Sequence, residues 1–99
     1  MAYKIRWTLN ALEGYERVIN YLVMDWSVNI AIDFEAILNN KLTNLSYNPS
    51  IGIASQKKPI VRSILITKHN RLYYQIVKDS IVLLNLFDTR QNPEKNIYK

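Results

Sequence analysis

Hydrophobic positions change their period twice along the chain, and those changes divide it into elements. Residues 3–7 alternate Tyr, Ile and Trp with Lys and Arg, the period of two expected of a half-buried strand. The period then lengthens. Leu12, Tyr15, Ile19 and Leu22, widened by Val18 and Val23, recur at the spacing of one helix face, with Glu13, Glu16 and Arg17 off that stripe. Thr8 stands where an N-cap belongs, its hydroxyl placed to accept a backbone N–H that the first helical turn leaves orphaned. Gly14 inside this helix costs about 1 kcal/mol relative to Ala, so a close packing contact is expected there. Asp25-Trp26-Ser27 breaks the pattern, and Ser27 or Asn29 caps a second helix. Ile30, Phe34, Ile37, Leu38, Leu42 and Leu45 carry its apolar face as far as Tyr47. Pro49 stops it, because a proline pushes the residue before it out of the α region. Two helices joined by so few residues must lie antiparallel as an αα-hairpin.

The pattern returns to strands over residues 61–93. Three apolar runs, 60–67, 72–77 and 81–87, are separated by polar turns at 68–71 and 78–80, which reads as an antiparallel meander. Tyr73 and Tyr74 fall on opposite faces, one expected in the core and the other exposed; Trp7 and Trp26 are expected to be packing residues. Residues 48–59 make a twelve-residue loop rich in chain breakers, long enough to suggest a functional or mobile segment. No repeat or second domain interrupts the order. The expected fold is α+β, β-α-α-β-β-β over residues 1–99, with a helical hairpin packed on one face of a small, mainly antiparallel sheet.

Composition narrows the chemistry. With 48% hydrophobic residues the chain reads as a folded globule, and 99 residues suffice for one core. There is no cysteine, so disulfides and thiolate metal sites are excluded, and a reducing compartment fits. No apolar run approaches the roughly 18 residues of a membrane span, and the start lacks the apolar region of a signal peptide. A cytoplasmic protein that touches no membrane is the expectation. His69 is the sole histidine, and Gly14 and Gly52 the sole glycines, which leaves neither a zinc cluster nor a glycine-rich phosphate loop. No cofactor and no metal is expected.

Charge is what remains. The net charge is +5, yet residues 1–55 hold four basic and five acidic residues, whereas residues 56–99 hold nine basic and three acidic. Such asymmetry suits an anionic partner, nucleic acid or an acidic peptide. Arg62, Arg71 and Arg90 come from three strands or strand ends, and guanidinium groups there are expected to converge on one anionic site as a phosphate clamp. RNA cleavage by a 2′-hydroxyl would also need proton transfer, for which Tyr98, Lys57, Lys58, Glu94 and His69 are the available groups.

Several short motifs in order carry a resemblance. They are Thr8 with Ala11, Ile19 with Tyr21-Leu22, Trp26-Ser27, Leu45 with Asn48-Pro49, Val61-Arg62, Leu72 with Tyr74, and the run from Asp88 to Pro93. Together they resemble the RelE/ParE superfamily of toxins from bacterial type II toxin–antitoxin modules. The resemblance implies a growth-inhibiting toxin neutralised by a cognate antitoxin protein. RelE-like members cut messenger RNA on the ribosome with a basic cluster and a C-terminal tyrosine. By that likeness Arg62, Arg71, Arg90 and Tyr98 are the catalytic candidates, and Lys57, Lys58, Lys68 and Gln91 the candidates for holding the target. The chain departs from that pattern at Ile64, where a second basic residue is expected, and in the distance from Arg90 to Tyr98. ParE-like members poison DNA gyrase and resemble this chain in the long helical hairpin and in Arg90-Gln91 followed by Pro93. The incomplete proton-transfer set favours the ParE-like branch, with the ribosome-dependent endoribonuclease as the alternative and a non-toxic antitoxin-binding remnant as a third reading.

Overall fold

Alternation and capping act where the sequence places them. The computed structural model describes residues 2–89. Its elements are β1 (Lys4–Trp7), α1 (Leu9–Asp25), α2 (Val28–Tyr47), a 3₁₀ turn (Pro49–Ile51), β2 (Ile53–Ala54), β3 (Val61–Thr67), β4 (Asn70–Val77) and β5 (Ser80–Asp88). The strands form one sheet in the order β1-β5-β4-β3-β2. The β3–β4 and β4–β5 pairs are antiparallel hairpins, and β2 lies antiparallel on β3. β1 runs parallel to β5, pairing Lys4 with Ser80 and Trp7 with Leu83, so the first strand closes on the last. Among the described residues no helix is long and apolar enough to cross a membrane.

Both helices start on the residue that chemistry favours. The Thr8 hydroxyl accepts the Ala11 N–H at 3.2 Å, and the Ser27 hydroxyl accepts that of Ile30 at 3.1 Å. Thr8 does more than cap. Its hydroxyl lies 2.7 Å from the Leu83 carbonyl and 3.2 Å from that of Leu84, at the irregularity where Tyr73 pairs with Asn85 but Tyr74 with Leu83. The start of α1 is thereby tied to a bulge in β5.

The hairpin covers one face of the sheet. Ala11, Val18, Phe34, Leu38, Leu42 and Leu45 meet Ile66, Leu72, Tyr74, Ile81, Leu83 and Leu86 in a single core. Tyr15, Val18, Ile19 and Leu22 of the stripe read in sequence pack on this core, but the residues α1 buries outright are Ala11, Gly14 and Val18, and Leu12 is 43% exposed. The cause is proximity. A Cβ on Gly14 would stand 2.7 Å from the Leu86 carbonyl oxygen and 2.8 Å from Asn85 Oδ1, so only the smallest residues fit between helix and strand. Larger residues such as Tyr15 and Ile19 flank the contact.

Other expectations change for local reasons. The β3–β4 turn shrinks to Lys68-His69, which places Arg71 inside β4. Tyr73 is buried along with Tyr74, although they face opposite ways. Trp7 packs its ring edge-on against Tyr15, with centroids 5.8 Å apart, but Trp26 at the helix junction is 66% exposed and packs on no core. The twelve-residue loop is built, containing the 3₁₀ turn and β2, and side chains from the sheet hold it. Lys78 opens the β4–β5 turn with φ 56°, which a non-glycine residue adopts at a cost of roughly 1–2 kcal/mol.

Candidate functional site

Arg62 and Tyr74 are cross-strand partners on β3 and β4, facing the helices. The Tyr74 hydroxyl donates to the Pro49 carbonyl at 2.6 Å and accepts the Gly52 N–H at 2.9 Å. Arg62 Nη1 donates to the Gly52 carbonyl at 2.8 Å and to that of Ser50 at 3.3 Å. The two side chains thus fasten the 49–54 segment to the sheet, and Gly52 sits so close that a Cβ there would run into the Tyr74 ring. Burial pushes the Tyr74 hydroxyl above its ordinary pKa, with the Gly52 N–H and the Arg62 charge pulling the other way.

Arg71 lies on the opposite face. Its register partner is Leu65, three residues from Arg62 and therefore of opposite parity, and its Nη1 donates to the Ser63 hydroxyl at 2.9 Å. Arg71 borders a shallow groove of about 320 Å³ at the β2–β3 edge, shared with Lys41, Ile51, Ile53, Ser63 and Leu65. The lysines divide as well. Lys57 and Lys58 precede β3 and Lys68 follows it, so seven residues of strand, roughly 23 Å, separate them. Arg62 and Arg71 are thus not brought together. Arg90, Gln91, Glu94 and Tyr98 lie outside the described residues. Among the described residues no three His, Cys, Asp or Glu side chains gather where they could hold a metal ion.

Sequence reasoning passed over four residues that the geometry makes prominent. Gly52 and Tyr74 complete the loop clamp, and Ser63 orients Arg71. Asn70 is 7% exposed, donates from Nδ2 to the Thr67 hydroxyl at 2.9 Å, and leaves Oδ1 without a partner. It lines a groove of about 360 Å³ between the helix junction and the β3–β4 turn, walled by Leu22, Trp26, Phe34 and Ile37. The period of two could have given Ser63 its face; nothing local marks Asn70.

Comparison with known proteins places this arrangement. The chain is similar in fold to a chain of the chromosomal ParDE TA system from P. aeruginosa, with a TM-score of 0.75 at 13% identity over 90% of this chain and 98% of that one. It is similar to a chain of the RelBE2 toxin–antitoxin complex from Mycobacterium tuberculosis, with a TM-score of 0.64 at 18% identity over 89% and 99%. A mutant of the E. coli toxin RelE in the free state gives 0.62 at 18% identity over 91% and 86%. No curated protein matches by sequence. The sequence profile described as "ParE toxin of type II toxin-antitoxin system, parDE" matches residues 5–93, nearly the whole chain. With its capped helical hairpin, five-stranded mixed sheet and basic second half, the chain belongs to the ParE toxin family of type II toxin–antitoxin systems.

Proposed function

We propose that the chain is a cytoplasmic toxin of the ParE-like kind, directed at DNA gyrase and neutralised by a cognate antitoxin. The observation that carries this reading is the placement of Arg62 and Arg71 on opposite faces of the sheet, each engaged by the protein's own oxygen atoms. A guanidinium that satisfies the Gly52 and Ser50 carbonyls holds a loop in place, and withdrawing it to grip a phosphate would leave those acceptors unpaired. Nuclease chemistry needs cations converging on one scissile phosphate, and a gyrase poison does not. The antitoxin supplies the acidic, amphipathic segment that the charge of the second half suits, with electrostatics hastening encounter and apolar burial slowing release.

The alternative is a ribosome-dependent endoribonuclease in which Arg62, Arg71, Arg90 and Tyr98 act on the message while Lys57, Lys58, Lys68 and Gln91 hold it; likeness to the RelE fold supports it. Inducing the gene with and without its antitoxin separates the readings. The gyrase reading expects lost supercoiling and accumulated DNA breaks with messages intact. Codon-phased cuts that vanish in Arg90→Ala, with gyrase unaffected, would replace it by the nuclease. Unchanged growth while the antitoxin still binds would leave only the non-toxic remnant.

A further inference from the structure

The Arg62–Tyr74 clamp leaves a gap in the edge of the sheet. β2 follows the outer side of β3 only through Ile53 and Ala54, opposite Ser63 and Arg62. The same register carried on would set Ile51 beside Leu65, but the chain leaves the ladder there. Tyr74 and Arg62 hold both backbone groups of Gly52, and the Ile51 N–H turns to the Asn48 carbonyl at 3.2 Å. Leu65 is left facing the gap. Val61 accepts the Ser55 N–H at 2.7 Å and donates to the Lys58 carbonyl at 2.8 Å, so its backbone groups point outward. Those of Ser63 and Leu65, at alternate positions, point the same way. Among the described residues nothing pairs with Leu65 on that side.

The surroundings of the gap restrict its occupant. Unpaired strand groups are matched by another extended backbone, so the occupant is a polypeptide. Ile51 and Ile53, each more than half exposed, and Leu65, about two-fifths exposed, line the groove beside it and suit apolar side chains at alternate positions. The charged lining among the described residues is Lys41 and Arg71, both cationic, so the matching segment is acidic. A second copy does not meet this requirement. Pairing β3 edge to edge would bring Lys41 and Arg71 of both copies to one seam with no acid between them.

We propose that an extended segment of the antitoxin, apolar and acidic, adds to the sheet here, its backbone pairing with Leu65 in the outer position that β2 vacates. Its apolar side chains cover Ile51, Ile53 and Leu65, and a carboxylate reaches Lys41. The inference rests on the toxin–antitoxin reading and is independent of whether gyrase or the ribosome is the target.

Nuclear magnetic resonance of the isotope-labelled full-length chain, alone and with unlabelled antitoxin, tests it. The Leu65 amide should exchange readily with solvent in the free chain. In the complex it should slow by about a hundredfold or more and show interchain contacts to an antitoxin backbone. Titration calorimetry should find binding weakened about tenfold in Lys41→Glu and about a hundredfold in Ile53→Glu, with Lys41→Arg close to wild type. Lys41 and Ile53 are exposed, so their variants keep the fold, which circular dichroism checks. A complex in which the Leu65 amide exchanges as in the free chain overturns the proposal, and so does Lys41→Glu binding like wild type. A Leu65 amide already protected in the free chain also overturns it: protection lost on dilution assigns the edge to a second copy, and protection at every concentration to residues 90–99. An antitoxin that does not bind the wild-type chain removes the toxin–antitoxin reading itself, and this proposal with it.

Discussion

Tyr74 lies directly across the β3–β4 ladder from Arg62, and both side chains hold the same loop, the tyrosine through Pro49 and Gly52 and the arginine through Ser50 and Gly52. Because they share Gly52, their contributions are coupled. Tyr74→Phe leaves a buried N–H and a carbonyl unpaired, and is expected to cost about 1–3 kcal/mol. Arg62→Ala is expected to cost about 1–2 kcal/mol, and the double variant less than the sum, because the second change acts on a loop already released. Urea unfolding of the three variants measures this. Strict additivity would show that the two side chains act separately.

Alkaline pH should weaken the fold through tyrosine. Burial raises the pKa of Tyr74; burial and the hydrogen bond to Glu35 at 3.2 Å raise that of Tyr15. A raised folded-state pKa means that the unfolded chain loses its proton first. Stability is therefore complete below the ordinary value of 10.0 and falls as the pH rises through it toward the folded-state values. Thermal midpoints followed from neutral to strongly alkaline pH should fall on that limb, and the fall should be shallower in Tyr74→Phe.

Gly14→Ala is expected to destabilise despite the better helix propensity of alanine. The added methyl would meet the Leu86 carbonyl, a backbone atom that can move only by shifting β5. The net loss should be about 1–3 kcal/mol, the usual cost of overpacking, against the roughly 1 kcal/mol that alanine offers in an open helix. A rise in the thermal midpoint would mean that α1 lies farther from the sheet than described.

The two caps should differ in weight. Ser27→Ala removes one exposed N-cap bond and should cost about 1 kcal/mol. Thr8→Ala also removes the bond to the Leu83 carbonyl at the β5 bulge, so about 2 kcal/mol is expected. Equal losses in parallel denaturation curves would show that the bulge contact adds nothing.

Much of the fold was readable because it rests on local rules. Thr8 and Ser27 announce their helices, Pro49 ends α2, and apolar runs mark the long strands. What escaped depended on register. A four-residue turn at 68–71 left Arg71 free to approach Arg62, whereas a two-residue turn fixes the pairs Arg62–Tyr74 and Leu65–Arg71 and sends the arginines to opposite faces. The α1 stripe holds at Tyr15, Val18, Ile19 and Leu22 but not at Leu12, and it omits Ala11 and Gly14, because large side chains dominate a periodicity reading while the closest contact is made by the smallest. Trp26, expected to be a packing residue like Trp7, is 66% exposed. Its exposure follows from its place at the junction between two helices, which no apolar period records.

The parallel pairing of β1 with β5 bears on the order of synthesis. The first strand leaves the ribosome with no neighbour, since its sheet partner begins at Ser80 and the residues between form the hairpin and the meander. Bringing such distant ends together is the slow, costly step of forming the native topology. Messages interrupted before the codons of β5 therefore yield polypeptides that never close the sheet. The cell making this toxin meets a closed sheet only after the codons of β5 have been read.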